Sequence, residues 1–269
     1  MSMSSTSQIV LSDRSALARE TALRFGALAR EAITTHGTFS VALSGGSTPR
    51  DLFVLLAMRE FAPQIDWAHV HVFWGDERAV PPDHPDSNYR MANEALLAHV
   101  PIPGSHVHRI RAELPPEDAA REYAKELREF FNLDADERGQ TQMGKNNPRS
   151  SALVGVPSFD LILLGLGANG HTASLFPHTQ VLRETQRWVA AEYIAEVKMW
   201  RITLTAPVIN AAKNILWLVA GADKAETVRE VLRGAYRPED LPAQLIQPTN
   251  GNVAWLLDKE AASKLQIGG

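Results

Sequence analysis

Short apolar runs alternate along this chain with longer amphipathic stretches, and that alternation admits few folds. The apolar runs that read as strands are Phe39–Leu43, Val70–Trp74, Phe159–Leu164, Trp188–Val197, Arg201–Leu204, Ile215–Ala220 and Val253–Leu257. Between and around them lie helix candidates at Asp13–Thr34, Pro49–Arg59, Ser87–His99, Pro116–Phe131, Pro207–Lys213 and Lys224–Leu232. Strands separated by helices predict an α/β fold with a mostly parallel sheet. The first, third and sixth runs are the most continuously apolar, as expected where helices cover both sheet faces. Thr48 before Pro49 reads as an N-cap with proline in the first turn, and Thr205 before Pro207 reads similarly, one residue looser.

Composition narrows the class further. Of 269 residues, 45% are hydrophobic and 22% charged, with 17 Gly and 16 Pro, which excludes disordered, collagen-like and coiled-coil chains. A formal net charge of −4 marks no nucleic-acid or membrane-surface partner. With no cysteine, disulfides, thiol nucleophiles and Cys-ligated zinc are all excluded. Met1–Gln8 is polar and lacks the basic-then-apolar order of a signal peptide, and no apolar run reaches the roughly 18 residues of a membrane span. The expectation is a soluble, cytoplasmic protein forming one domain over residues 1–269. One compositional break, the polar Gly/Asn/Pro/Ser-rich stretch Asp134–Ser158, reads as a long surface loop. Oligomeric state is unreadable from the sequence.

In open parallel sheets ligands bind at the carboxyl ends of strands, so the residues after each strand are the first candidates. Ser44-Gly45-Gly46-Ser47-Thr48-Pro49 leads from a strand directly into a helix. Paired glycines can turn backbone N–H groups towards an anion, and a helix N-terminus favours negative charge. The bland alternative is a tight turn with an N-cap. No P-loop pattern is present. Gly75-Asp76-Glu77-Arg78 follows the next strand and precedes the turn-rich Asp83–Tyr89 segment. Charges at the tip of an apolar strand are costly unless paired or used; Arg78 suits bidentate phosphate binding, against the alternative of an internal Asp/Arg pair. Gly165-Leu166-Gly167-Ala168-Asn169-Gly170-His171 contains G-x-G-x-x-G. Dinucleotide binding is disfavoured there: the motif sits mid-chain, Pro177 arrives before a crossover helix can develop, and no acidic residue ends the next strand, although Glu192 and Glu196 lie within it. His171, beyond a buried strand, is placed for general acid–base work. Lys224, opening a helix after Gly221-Ala222-Asp223, opposes the helix dipole and so reads as facing an anion.

Other chemistries find little support. His69 and His71 alternate on a strand, as do His106 and His108 in a loop, but neither H-E-x-x-H nor H-x-H-x-D-H is present. G-x-S-x-G is absent too.

Taken together, Leu43–Pro49, Trp74–Arg78, Asp86-Ser87-Asn88, Gly165–Pro177, Arg201–Thr205 and Gly221–Lys224 resemble the 6-phosphogluconolactonase family from about residue 10 onwards. The resemblance implies an open, Rossmann-like sheet shared with glucosamine-6-phosphate deaminases and ribose-5-phosphate isomerases. It implies hydrolysis of 6-phosphogluconolactone in the oxidative pentose phosphate pathway, with no metal or cofactor. Carried over, His171 would be general base and Asn169 its neighbour in catalysis. Ser44, Gly45, Gly46, Ser47, Thr48, Asp76, Arg78, Asn88, Gly167, Gly170, Arg201 and Lys224 would bind substrate. The Ser44–Thr48 loop, Arg78 and Lys224 would hold the 6-phosphate, and N–H groups near Gly167–Gly170 would meet the oxyanion. The chain departs from the family pattern at Asn169, where aspartate is usual. The nearest rival, an amino-sugar-phosphate isomerase and deaminase, carries D-E-Y where Asp76-Glu77-Arg78 stands. A second rival is a sugar-phosphate-binding module that has lost catalysis.

Overall fold

The computed structural model describes residues 6–133 and 155–265, so most of the loop expected over Asp134–Ser158 lies outside the described residues. Among those residues, the strands are β1 (Thr6–Leu11), β2 (Phe39–Leu43), β3 (Val70–Trp74), β4 (Asp76–Arg78), β5 (Leu161–Leu164), β6 (Val189–Ile194), β7 (Met199–Leu204), β8 (Asn214–Val219) and β9 (Asn252–Asp258). The α-helices are α1 (Arg14–His36), α2 (Ser47–Leu56), α3 (Asn88–Ala95), α4 (Pro116–Phe130), α5 (Ala206–Asn210) and α6 (Ala225–Arg233). Six strands form one sheet in the order β1-β9-β8-β5-β2-β3, every pairing parallel.

The strand order locates the site. The chain moves from β1 to β2 to β3 in one direction across the sheet, then from β5 to β8 to β9 in the other. Strand–crossover–strand connections are right-handed, so the connections before and after the reversal cover opposite faces. The reversal falls between β2 and β5, which pair through Val41 with Leu161 and Ala42 with Ile162. Their carboxyl ends therefore diverge into connections on opposite sides, and a crevice opens between them.

A second, antiparallel sheet has the order β4-β7-β6. β6 and β7 are expected as strands from the sequence, but not as parts of a separate sheet. Gly75 joins the two sheets: its N–H donates to Leu43 O (2.9 Å) and its carbonyl accepts from Leu204 N (2.8 Å). The chain thus passes from β3 into β4 and changes sheets within one residue.

Several expected boundaries shift for identifiable reasons. β5 begins at Leu161 rather than Phe159 because the Asp160 carboxylate takes the Ser40 N–H (2.8 Å). β6 stops at Ile194 rather than Val197, since the chain reverses over Ala195–Lys198, where Lys198 has φ +49°. The Ser87–His99 helix ends at Ala95 and a separate 3-10 turn covers Leu97–His99. The Pro207–Lys213 helix is only Ala206–Asn210. Thr48 is not an N-cap, because α2 already starts at Ser47, after Gly46 at φ +103°. Thr205 does occupy the N-cap of α5, but its hydroxyl donates to Arg187 O (2.7 Å) instead of capping. β1 and β4 have no counterpart among the expected strands: β1 is a largely exposed edge strand, and β4 is the charged Asp-Glu-Arg triplet. No helix among the described residues is long and apolar enough to cross a membrane.

The sheet edge at β3 is closed by a side chain. Buried Tyr123 of α4 accepts from Trp74 N (2.9 Å) and donates to Trp74 O (3.0 Å), satisfying both backbone groups with one hydroxyl. Tyr123→Phe is expected to destabilise the fold by about 1–3 kcal/mol, the cost of a buried polar group left unpaired. Chemical denaturation should show a lower midpoint at unchanged slope; an unmoved midpoint would mean that the hydroxyl is dispensable.

Candidate active site

A cleft of about 290 Å³ opens where β2 and β5 end. Ser44, Gly45, Gly46, Ser47 and Thr48 line one wall. Because α2 begins at Ser47, the first amides of this wall have no intrahelical acceptor, and they carry the positive end of the helix dipole. Gly45 is required by close approach: a Cβ there would lie 2.0 Å from Asn88 Oδ1. Asn88 is itself fixed, its Nδ2 donating to Asp76 O (2.9 Å) and its backbone N–H to Glu77 Oε1 (2.7 Å). Its Oδ1 is buried and unpartnered among the described residues, and Asn88 itself lines the cleft. Lys224 lines the cleft beside this wall and also an adjoining groove that includes Ser47 and Thr48. Its ammonium group lies 3.0 Å from Asp223, so the cation has a partner on the described chain.

The opposite wall is built on β4 and β7. Asp76 is buried and accepts from Ser174 Oγ (2.7 Å). Arg78 lines the cleft and donates from Nη1 to Asp86 O (2.6 Å), so the internal Asp76–Arg78 pair considered from sequence is replaced by separate partners. Arg78 stands directly opposite Arg201 in the β4–β7 register. Each guanidinium keeps a buried Nε with no hydrogen-bond partner among the described residues. Burial, and then the neighbouring Arg78 charge, lower the Arg201 pKa. Two like charges side by side with unsatisfied donors form a place where an anion is stabilised.

Glu77, given no role from sequence, holds this wall together. Its buried carboxylate accepts from Ser87 Oγ and from the backbone N–H groups of Arg78, Asn88 and Tyr89, and so caps α3. Burial raises its pKa, and the three backbone donors pull the other way. The signal available in the sequence was an acidic residue on a strand followed ten positions later by Ser87, the N-cap of α3.

His171 stands between the walls and lines the cleft. Its ring stacks on Phe176, with centroids 4.0 Å apart at 11°. Gly167 lies against the other side: a Cβ there would sit 2.1 Å from His171 Nδ1 and 2.2 Å from Cε1. His171 Nδ1 is 2.5 Å from Asn169 Oδ1, which also accepts the His171 N–H (3.2 Å). Asn169 Nδ2 in turn donates to Glu196 Oε2 (2.9 Å). Burial is the main cause lowering the His171 pKa to about 4; Asp76 and Glu196 raise it, and Arg201 and Lys224 lower it further. At neutral pH the imidazole is uncharged and able to accept a proton.

Not every expected residue reaches the cleft. Gly170 packs away from it, where a Cβ would meet Leu241 Cδ2 at 2.7 Å, and its carbonyl accepts from Ala243 N. Asn169 acts behind His171, and Arg201 behind Arg78. Two of the amides expected to meet an oxyanion near Gly167–Gly170 bond within the loop instead: Gly167 N donates to His171 O (2.9 Å) and Gly170 N to Gly167 O (3.0 Å). Glu196, read as part of a strand, lies instead on the β6–β7 turn. Among the described residues no group of three or more His, Asp or Glu side chains is arranged to hold a metal ion.

The chain has recognisable relatives. The family described as glucosamine-6-phosphate isomerases/6-phosphogluconolactonase matches residues 12–255. A 6-phosphogluconolactonase from Synechocystis sp. is 42% identical over 237 residues, which is 88% of each chain. The solved structure of 6-phosphogluconolactonase from Trypanosoma brucei superposes with a TM-score of 0.79 at 30% identity, covering 98% of this chain and all of the other. A monomeric glucosamine-6-phosphate deaminase shares the fold, with a TM-score of 0.75 at 21% identity over 96% of this chain and 99% of its own.

Gly167→Ala is expected to push the imidazole off Phe176 into solvent, because the methyl group and the ring cannot occupy one place. The His171 midpoint should then climb from about 4 towards the ordinary 6.5, read by NMR titration of the ring protons. An unmoved midpoint would mean that the loop absorbs the methyl group.

Proposed function

The chain belongs to the glucosamine-6-phosphate isomerase/6-phosphogluconolactonase family and hydrolyses 6-phosphogluconolactone in the pentose phosphate pathway, and we propose that His171 is the general base of that hydrolysis. The observation that supports this most directly is geometric: an imidazole lining the cleft, with Nδ1 held by Asn169, in a cleft also lined by helix-terminal amides and the Arg78 guanidinium, where burial favours its uncharged form. With Nδ1 engaged by Asn169 Oδ1, which only accepts, the proton sits on Nδ1 and Nε2 keeps its lone pair.

The amides of the Ser44–Thr48 wall and Lys224 hold the phosphate dianion, where helix dipole and cation act on the same charge. Arg78, with Arg201 behind it, forms the second positive wall. Binding energy from the phosphate, remote from the reacting carbon, orients the lactone for attack. His171 Nε2 takes a proton from water as its oxygen bonds to C1. The tetrahedral intermediate carries its negative charge in a cleft walled by cations and helix-terminal amides, which stabilise it. Collapse breaks the bond from C1 to the ring oxygen, and the imidazolium returns its proton to that oxygen, leaving a carboxylic acid that ionises. Asn88, which lines the cleft and keeps a buried Oδ1 without a partner among the described residues, offers an acceptor to a sugar hydroxyl.

His171→Ala is expected to reduce hydrolysis to the spontaneous rate, while affinity for 6-phosphogluconate stays within about tenfold, or roughly 1.4 kcal/mol. Turnover surviving in that variant would remove His171 from the chemistry. A second expectation follows from charge. A base with a depressed pKa stays in its active, neutral form as pH falls until the imidazole protonates, near pH 4 in the free protein. Bound 6-phosphogluconate would set its dianion against Lys224 and Arg201, two of the cations that lower this pKa. NMR titration with the ligand should therefore show the His171 midpoint moved upward; a downward or absent shift would place the phosphate elsewhere.

A further inference from the structure

The residue behind His171 is an amide, and an amide can present either of two faces. Asn169 offers an acceptor through Oδ1 and donors through Nδ2. If Oδ1 faces His171, the imidazole carries its proton on Nδ1 and Nε2 is the basic nitrogen. If the amide turns over, Nδ2 faces Nδ1, the proton moves to Nε2, and the nitrogen available to the cleft can no longer accept one. An aspartate would face no such choice, because both its oxygens accept.

Two contacts set the orientation: the His171 backbone N–H, which only donates, favours Oδ1 beside it, and a third residue holds the other face. Glu196 Oε2 lies 2.9 Å from Asn169 Nδ2, and an ionised carboxylate only accepts. It can bind the NH₂ face of Asn169 and not the carbonyl face. The amide is thereby turned so that Oδ1 meets both His171 Nδ1 (2.5 Å) and the His171 backbone N–H (3.2 Å). Glu196 sits on the turn between β6 and β7, and Arg201, near the start of β7, pairs in register with Arg78, which lines the cleft. One hairpin thus delivers a carboxylate to the amide behind the histidine and a guanidinium behind Arg78.

We propose that Glu196 is a positioning residue that fixes the tautomer of His171 through the Asn169 amide, a carboxylate standing at one remove from the histidine. The inference rests on the general-base reading of His171. Glu196 touches no substrate; it acts through Asn169. Its charge also favours the imidazolium formed in the reaction, as a carboxylate does when it stands behind a catalytic histidine, here with one amide between them. Asn169 and Glu196 form one unit, so a carboxylate at both positions would place like charges within hydrogen-bond distance, where each disfavours ionisation of the other.

The test combines turnover with a direct view of the ring. In the unaltered chain, the ¹⁵N shifts of the His171 ring should report the proton on Nδ1. Glu196→Ala removes the carboxylate that holds the Nδ2 face and leaves only the 3.2 Å bond from the His171 N–H to oppose a turn, so the ring should shift towards the Nε2-protonated form and kcat should fall about tenfold or more, part of the 10²–10⁴ that a general base supplies. KM should change little, because the phosphate wall is untouched. Asn169→Asp alone should lose activity through repulsion between the introduced carboxylate and Glu196, and Asn169→Asp with Glu196→Gln should regain it. Glu196→Ala with the Nδ1 tautomer retained and kcat unaltered would overturn the proposal, as would Asn169→Asp showing the same activity with and without Glu196. Failure of the general-base reading is distinguishable: His171→Ala would then remain active whatever the ring tautomer shows.

Discussion

The parallel pairing of β2 with β5 is pinned at its amino end by one buried carboxylate. Asp160 accepts from Ser40 N (2.8 Å), Ser40 Oγ (2.9 Å), His36 Nε2 (3.0 Å) and Lys213 Nζ (2.8 Å). A carboxylate at this depth is costly unless its lone pairs are occupied, and here all four contacts come from chain segments that must be brought together. The neighbouring carbonyls of Phe159 and Asp160 accept from Lys213 N and Asn214 Nδ2, which carries the alignment on to β8. With the amino ends of three central strands in register, the carboxyl ends of β2 and β5 are fixed relative to one another. The cleft is where those ends separate.

What fills the cleft follows from distances too short for ordinary side chains. Asn88 and His171 approach the backbone at Gly45 and Gly167 so closely that any Cβ would overlap them. These glycines therefore admit functional side chains from elsewhere: Asn88 from the start of α3, and His171 from the far side of its own loop. The loop is held in turn by Ser174 bonding Asp76 and Thr203, by Thr227 bonding Ala168 O, and by Ala243 bonding Gly170 O. The histidine is positioned by the parallel sheet, the antiparallel sheet and α6 at once.

The electrostatics are a balance set by burial. Desolvation keeps the imidazole neutral, and the nearby cations Arg201 and Lys224 act in the same direction, while Asp76 and Glu196 oppose them. In the proposed mechanism a substrate dianion reverses part of that field on arrival: burial remains the main cause of the low pKa, and the bound charge relieves the part that Arg201 and Lys224 add. Arg78 and Arg201, side by side with buried Nε atoms that find no partner among the described residues, carry a cost that an anion removes.

Much of this was legible in the sequence, and for definable reasons. Phe39–Leu43 and Val70–Trp74 match β2 and β3 because a strand covered on both faces writes itself as an apolar run. The glycine loops after β2 and β5 were legible because glycine followed by a helix or a histidine is a local pattern. β1 and β4 were not: an exposed edge strand and a charged triplet carry no apolar signal, and only pairing with β9 and β7 makes them strands. Glu77 and Glu196 were visible as residues but not as parts of a site. Sequence by itself determined the parallel α/β class, the loops that end the central strands and the histidine beside them, because each is encoded within a few consecutive residues. The tertiary structure decided that Arg201 would stand beside Arg78, that the Gly167 and Gly170 amides would be consumed within their own loop, and that a glutamate 27 positions away would orient the amide behind the histidine. Those outcomes depend on register and sheet switching, which only the assembled backbone sets.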